Sequence, residues 1–296
     1  MKLEGAYTAL VTPFDASGAL DEDAYRNLIR AQIKAGIRGL VPCGSTGEAA
    51  TLMHEEYRRA IEIACEESRG DVPVIAGVGT NATWKAVEGA REAESLGADA
   101  LLVLAPYYNK PTQDGIVEHF RAVAKESRLP VVAYNIPGRT GVNIAPKTMA
   151  RIAKELPTVV AVKEAAGSLD QVSEILQYTS SLKRAFTVLS GDDSLTVPMM
   201  SVGARGVISV VSNVAPRQTQ ALCDAALKGD YKKAAALHLK LFPLIKALFV
   251  ETNPIPVKAA LAMMGACRPE PRLPLTPLTA ANRPALKKAL KEHGLI

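Results

Sequence analysis

Eight short apolar runs return at regular intervals along the first three quarters of this chain, and that return narrows the folds open to it more than anything else. They cover residues 6–11 (AYTALV), 39–43 (GLVPC), 72–78 (VPVIAGV), 100–105 (ALLVLA), 131–136 (VVAYNI), 159–163 (VVAVK), 186–190 (FTVLS) and 206–211 (GVISVV). Most are near-continuous Val, Ile, Leu and Ala rather than alternating, the pattern of strands buried on both faces. Helical signals lie between them. Residues 21–35 open on Asp21, carry Ala24, Leu28, Ile29 and Ala31 at helical spacing and stop at Gly36. Residues 54–69 stop at Gly70, and 82–96 stop at Gly97. Pro146 and Pro216 suit first helical turns, and Ser168 suits a cap after the sixth run.

Eight strands alternating with helices over residues 1–225 point to an α/β protein built as a parallel (β/α)8 barrel. A doubly wound open sheet would carry a Gly-rich fingerprint after its first strand, and here VTPFDASG follows. Beyond residue 225 the strands cease. Residues 230–250, 254–265 and 279–293 read as three helices, broken by Pro254, Pro256 and a Pro-rich link at 269–277. Residues 226–296 are therefore expected to form a C-terminal helical segment suited to assembly.

Composition removes several functions. No stretch approaches the length of uninterrupted apolar sequence that a membrane helix needs. The start, MKLEGAYTAL, has neither a signal-peptide apolar region nor transit-peptide character, which places the chain in the cytoplasm. The net charge of +5 is spread thinly, with a mild basic concentration at Arg283, Lys287, Lys288 and Lys291 spaced as the solvated face of a helix. Nucleic acid binding would want a denser patch with aromatics. The four cysteines and four histidines are scattered without metal-ligand spacing, so no metal site and no disulfide framework is expected.

The sixth run ends on Lys163. An ammonium at the end of a run of Val and Ala must be solvated, paired or made neutral, and burial lowers its pKa toward a nucleophilic amine. A barrel places its chemistry at the C-terminal ends of its strands, so the other strand ends decide what this lysine meets. Strand two ends in CGSTGEA, where Gly44 and Gly47 let backbone N–H groups converge on an anion and Ser45 and Thr46 add hydroxyls. It is no nucleotide P-loop, and a small carboxylate fits its size. Strand four ends in APYYNKP, whose Tyr107 and Tyr108 read first as packing residues and second as proton carriers. Tyr134 lies on the strand beside that of Lys163, about 5 Å away, placing a phenol next to an amine. Arg139, in the Gly-flanked loop above, suits a second carboxylate. Asp192 and Asp193 of SGDD read as helix caps, and Ile208 on strand eight is placed to present backbone to a ligand. Together these residues describe a Schiff-base lysine on one face of a barrel.

These motifs resemble the pyruvate-dependent Schiff-base aldolase family. The resemblance runs from AYTALVTPF through GSTGEA, PVIAGVGTNAT, APYYNKPTQDG, YNIPGRTG, VKEAAG, SGDD and GVISVVSNVAP to VETNPIPVKAAL and RLPLTPL, essentially the whole chain. It implies condensation of pyruvate with aspartate semialdehyde in the diaminopimelate route to lysine, with no cofactor, by a homotetramer built as a dimer of dimers. It implies that Lys163 forms the imine, that Tyr134 relays protons with Ser45 and Tyr108, and that Tyr108 reaches into a neighbouring subunit's site. Thr46 and Gly47 would hold the pyruvate carboxylate, Arg139 the aldehyde's carboxylate, and Ile208 would offer its backbone carbonyl. The alternative within the family is an N-acetylneuraminate lyase or a 2-keto-3-deoxy sugar-acid aldolase; PGRTG and the YYN pair favour the synthase. A non-catalytic barrel that binds a keto acid or scaffolds a partner would have no use for Lys163 and Tyr134 together.

Two departures from the family pattern stand out. Ser45 replaces the usual threonine of the relay, keeping the hydroxyl with more rotamer freedom. At the regulatory position where lysine-inhibited members carry an acid, this chain has Lys85, with Tyr57 where histidine is common and Ala49 where serine is; His54, Asn81 and Tyr107 remain. An ammonium facing an ammonium is repulsive, so feedback by lysine is expected to be weak or absent. Steady-state assays with added lysine check this, and inhibition at low micromolar concentration would overturn it.

Overall fold

The computed structural model describes residues 2–296. Its eight strands are β1 (Gly5–Ala9), β2 (Gly39–Val41), β3 (Ile75–Gly77), β4 (Ala100–Leu104), β5 (Val131–Asn135), β6 (Val159–Glu164), β7 (Thr187–Ser190) and β8 (Gly206–Ser209). All pair in parallel, in the order β2-β1-β8-β7-β6-β5-β4-β3. A parallel bridge between Leu40 and Val74 joins the two ends, supported by Leu40 N–H to the Pro73 carbonyl (2.9 Å) and Gly77 N–H to the Pro42 carbonyl (3.0 Å). The sheet is thus a closed (β/α)8 barrel, as the alternation of strands and helices implies.

The helices around it are α1 (Glu22–Lys34), α2 (His54–Ser68), α3 (Thr83–Ser95), α4 (Gln113–Glu126), the short α5 (Pro137–Thr140), α6 (Pro146–Glu155), α7 (Leu169–Thr179), α8 (Thr196–Ser201) and α9 (Pro216–Leu227). Their ends follow local chemistry. Asp21 and Ser168 accept hydrogen bonds from Ala24 N–H and Gln171 N–H as N-caps, and Pro146 and Pro216 occupy first turns. The strands are shorter than the apolar runs, because residues 42–43 turn at the barrel rim, where Cys43 takes a φ of +55°, and Val72 lies in a bend before β3.

Two apolar layers hold the barrel. Tyr7, Val41, Ile75, Leu102, Val132, Ala161, Leu189 and Ile208 fill its interior, and a larger set including Ile29, Ile61, Ile63, Leu101, Phe120, Ile152, Ile175 and Leu222 packs strands against helices. A third cluster joins α10 (Tyr231–Leu248), α11 (Ile255–Met263) and α12 (Arg283–Glu292) to Val11, Val210, Val211 and Val214 at the rim where strands one and eight end. The C-terminal helices therefore close over the same end of the barrel that carries Lys163. Among the described residues no helix is long and apolar enough to cross a membrane.

Candidate active site

Strand alternation sets the starting geometry. In β6, Lys163 and its neighbour Glu164 point to opposite sides. Glu164 turns outward, where its buried carboxylate accepts hydrogen bonds from Asn135, Gln171 and the Ala166 N–H. Lys163 is buried, and among the described residues no carboxylate forms an ion pair with it. Burial brings its pKa down to about 7; the Asp193 carboxylate pulls upward and the Arg139 guanidinium adds to the lowering. Gly191 makes room for the side chain, since a Cβ there would lie 3.2 Å from Lys163 Cε and 2.7 Å from Ala165 Cβ.

Tyr134 is Lys163's register partner on β5, and the ammonium lies 4.1 Å from its ring centroid. Burial pushes the Tyr134 phenol up to about 12, offset in part by the Arg139 charge and by hydrogen bonding with Ser45. Lys163, Tyr134 and Ser45 thus stand in contact as a chain of proton-bearing groups.

The turn that carries Ser45 is built from inside. Gly47 N–H and Ala49 N–H both donate to the Gly44 carbonyl, Glu48 N–H donates to the Ser45 carbonyl, and Thr12 donates its hydroxyl to the Gly47 carbonyl (2.7 Å). Gly47's N–H is consequently spent within the turn, whereas the resemblance implies that Gly47 would help to hold the pyruvate carboxylate. The N–H groups of Ser45 and Thr46 make no hydrogen bond among the described residues. Thr46 is buried, and its hydroxyl oxygen accepts from Asn253 Nδ2 (3.0 Å), leaving its own proton to donate.

Arg139 sits on α5 above Tyr134, its Nη2 donating to the Asn253 carbonyl (2.8 Å). Asn253, just before α11, therefore ties the Arg139 loop to the Thr46 turn. Asp193 differs from its expected role. Asp192 caps the short helical turn at 193–195 through Ser194 N–H, whereas Asp193 reaches across to β8 and accepts from the Ser209 hydroxyl and the N–H groups of Val210 and Val211. It braces the strand end that holds Ile208, and its charge faces Lys163.

A cavity of about 770 Å³ ends at Tyr134, Ser45 and Arg139 and is shared by Asn253, Leu102, Leu104 and Ile136. Its other lobe is bounded by His54, Tyr57, Lys85, Glu88, Glu92 and Tyr107. There His54 Nε2 lies 3.2 Å from Glu92, Tyr57 donates its phenol to the Gly77 carbonyl (3.0 Å), Lys85 Nζ stands 5.3 Å from the Trp84 ring, and the Asn81 carbonyl accepts from Asn109. Tyr108 is not part of this chain's cluster: it is 87% exposed, at φ +73°, with its N–H bonded to the Thr140 carbonyl. Among the described residues no group of three or more His, Cys, Asp or Glu is placed to hold a metal.

The model of the dihydrodipicolinate synthetase family matches residues 2–293. The chain belongs to this family. It is 52% identical to the 4-hydroxy-tetrahydrodipicolinate synthase of Maridesulfovibrio salexigens over 296 residues, covering 100% of both chains, and 50% identical to that of Syntrophus aciditrophicus over 293 residues, covering 99% of each. Its structure is similar to that of the dihydrodipicolinate synthase of Thermotoga maritima, with a TM-score of 0.97 and 46% identity over 99% of both chains.

Sequence reasoning named Lys163, Tyr134, Ser45, Thr46 and Arg139, which the structure brings together at one rim. It missed Asn253 as the link between two loops, because Pro254 and Pro256 drew attention as helix breakers. The acid in GSTGE and the lysine in NPIPVK were the signal for a further pairing.

The opposing charges around Lys163 yield a signed expectation. The amine form gains as pH rises through about 7, so the rate of borohydride-trappable imine formation with pyruvate should rise through an apparent pKa near that value. Asp193→Asn removes the charge that raises this pKa and should move the limb to lower pH. Arg139→Gln removes one that lowers it and should move the limb to higher pH. Trapping rates measured across pH for the three proteins check both signs.

Proposed function

We propose that this chain condenses pyruvate with aspartate semialdehyde through an imine on Lys163, forming 4-hydroxy-tetrahydrodipicolinate. The observation that carries the reading is the buried, unpaired Lys163 against Tyr134, with its pKa down at about 7. About half the enzyme then holds a neutral amine at neutral pH. In this mechanism the amine attacks the pyruvate ketone while the pyruvate carboxylate takes the free N–H groups of Ser45 and Thr46 and the Thr46 hydroxyl. Water leaves, and the resulting iminium withdraws electrons from the methyl carbon.

Tyr134 carries the proton from that methyl carbon toward Ser45. The high phenol pKa suits a group that gives and regains a proton and rarely rests as phenolate. The enamine carbon attacks the aldehyde, whose carboxylate is held by Arg139 at the cavity end. The substrate's own amine then closes the ring and displaces Lys163. The imine is the electron sink, so no step calls for a cofactor or metal.

Tyr108 supports an assembled enzyme. An exposed phenol held at a left-handed backbone angle has little use in an isolated chain, and Trp84 of the cavity lining is exposed as well. We read Tyr108 as completing the relay in a second copy, within a dimer that pairs again into a tetramer working in the cytoplasm. Sugar-acid cleavage by the same imine is the rival within the family. Arg139 tied to Asn253 favours a short carboxylated aldehyde over a polyol.

Borohydride with pyruvate should leave a mass adduct on Lys163, and Lys163→Ala should abolish it; an adduct elsewhere would refute the assignment. Tyr134→Phe should lower turnover by about 10²–10⁴-fold while leaving the fold intact. Assays of condensation with aspartate semialdehyde beside cleavage of sialic acid should show activity only in the first.

A further inference from the structure

A second buried lysine lies on the far side of the carboxylate-binding turn. Lys258, on α11, is fully buried, and its Nζ lies 2.7 Å from Glu48 Oε1, whose side chain is 2% exposed. The other carboxylate oxygen accepts the Arg272 N–H (2.8 Å). Both cations lie over the Phe14 ring, with Lys258 Nζ 4.1 Å and the Arg272 guanidinium 4.2 Å from its centroid. Arg272 is itself anchored by Glu56 and by the Thr51 carbonyl. A charge pair this dry demands close partners, since either ion alone would be stranded.

Glu48 is also the last residue of the Ser45–Thr46 turn. Its backbone sits at φ +54°, a left-handed conformation that costs a non-glycine residue strain. Its N–H donates to the Ser45 carbonyl (3.2 Å), and its own carbonyl accepts the Thr51 N–H (2.9 Å). The side chain is gripped by Lys258 of α11 and by the Arg272 N–H, and Glu48 also lines the cavity. Asn253, five positions before Lys258 on the same segment, grips Thr46. The turn is therefore held from the C-terminal segment at two points, Thr46 itself and Glu48 two residues later.

We propose that Lys258 is a positioning residue for the keto-acid site: its ion pair with Glu48 holds the Gly44–Glu48 turn in the conformation that aims the Ser45 and Thr46 N–H groups at the carboxylate of the first substrate. Lys258 touches no reacting atom and belongs to the helical segment outside the barrel. Its loss acts on capture of the keto acid, not on the second carboxylate held by Arg139. The inference rests on the reading of Lys163 as the imine-forming residue.

The deciding variant is the double substitution Glu48→Gln/Lys258→Met, because removing both charges together spares the fold the stranded ion that either single change would leave. Wild type and variant are titrated with pyruvate under borohydride, and KM is measured separately for pyruvate and for aspartate semialdehyde. The expected result is a folded variant whose half-saturating pyruvate concentration rises roughly tenfold or more, as for loss of one charge-assisted contact, with the aldehyde KM unchanged. A folded variant with the wild-type pyruvate dependence overturns the proposal, as does an equal rise in both constants, which marks general loosening. No adduct on Lys163 in the wild type would overturn the functional reading and this inference together.

Discussion

An ammonium buried without a partner is the constraint around which this structure is arranged. Bringing Lys163 from 10.5 to about 7 corresponds to roughly 5 kcal/mol of unfavourable interaction with the charged form. The sign follows from linkage. Below pH 7 both folded and unfolded chains hold the proton and the folded state bears the full cost, which fades as pH rises from the folded value toward the unfolded one. The protein keeps the penalty by geometry: Glu164, adjacent in sequence, is turned outward by strand alternation and occupied by Asn135 and Gln171. Asp193, the remaining acid nearby, is occupied by β8.

Lys258 shows the opposite solution within the same rim. It is as deeply buried, yet it has Glu48 at 2.7 Å and aromatic cover from Phe14. Burial still lowers its pKa, while the Glu48 charge and hydrogen bond pull upward. One lysine is left without a counter-ion at the end of its strand; the other is sealed against a carboxylate. Two identical side chains thus separate into a reactive group and an anchor through what their neighbours supply.

The fold was largely legible because its signals are local. Strand runs, Gly36, Gly70 and Gly97 as stops, and Asp21 and Ser168 as caps each act within a few residues, and the structure keeps them. The rim residues Lys163, Tyr134 and Arg139 followed once the barrel fixed which strand ends meet. What stayed hidden depends on partners far apart in the chain. Glu48 and Lys258 are separated by 210 positions, Thr46 and Asn253 by 207, and no spacing rule announces such pairs. Asp193 was misread for a related reason: SGDD is a sound capping sequence, but only one of its two acids is needed for that, and the tertiary fold claims the other.

The two lobes of the cavity answer to different chemistry, and that separation lets one change without the other. The catalytic end is fixed by long-range ties to the C-terminal segment through Asn253 and Glu48. The side lobe is set by residues of α2 and α3: the His54–Glu92 pair, Lys85 beside Trp84, and Tyr57 with its phenol committed to Gly77. An ammonium entering that lobe meets Lys85 as well as the Glu88 and Glu92 carboxylates, and at separations near 4 Å two ammonium groups repel by about 1 kcal/mol in water and more where water is thin. None of these side chains takes part in the ties that shape the Ser45–Thr46 turn. Substitution in the side lobe therefore alters what the lobe can hold while leaving those ties as they are.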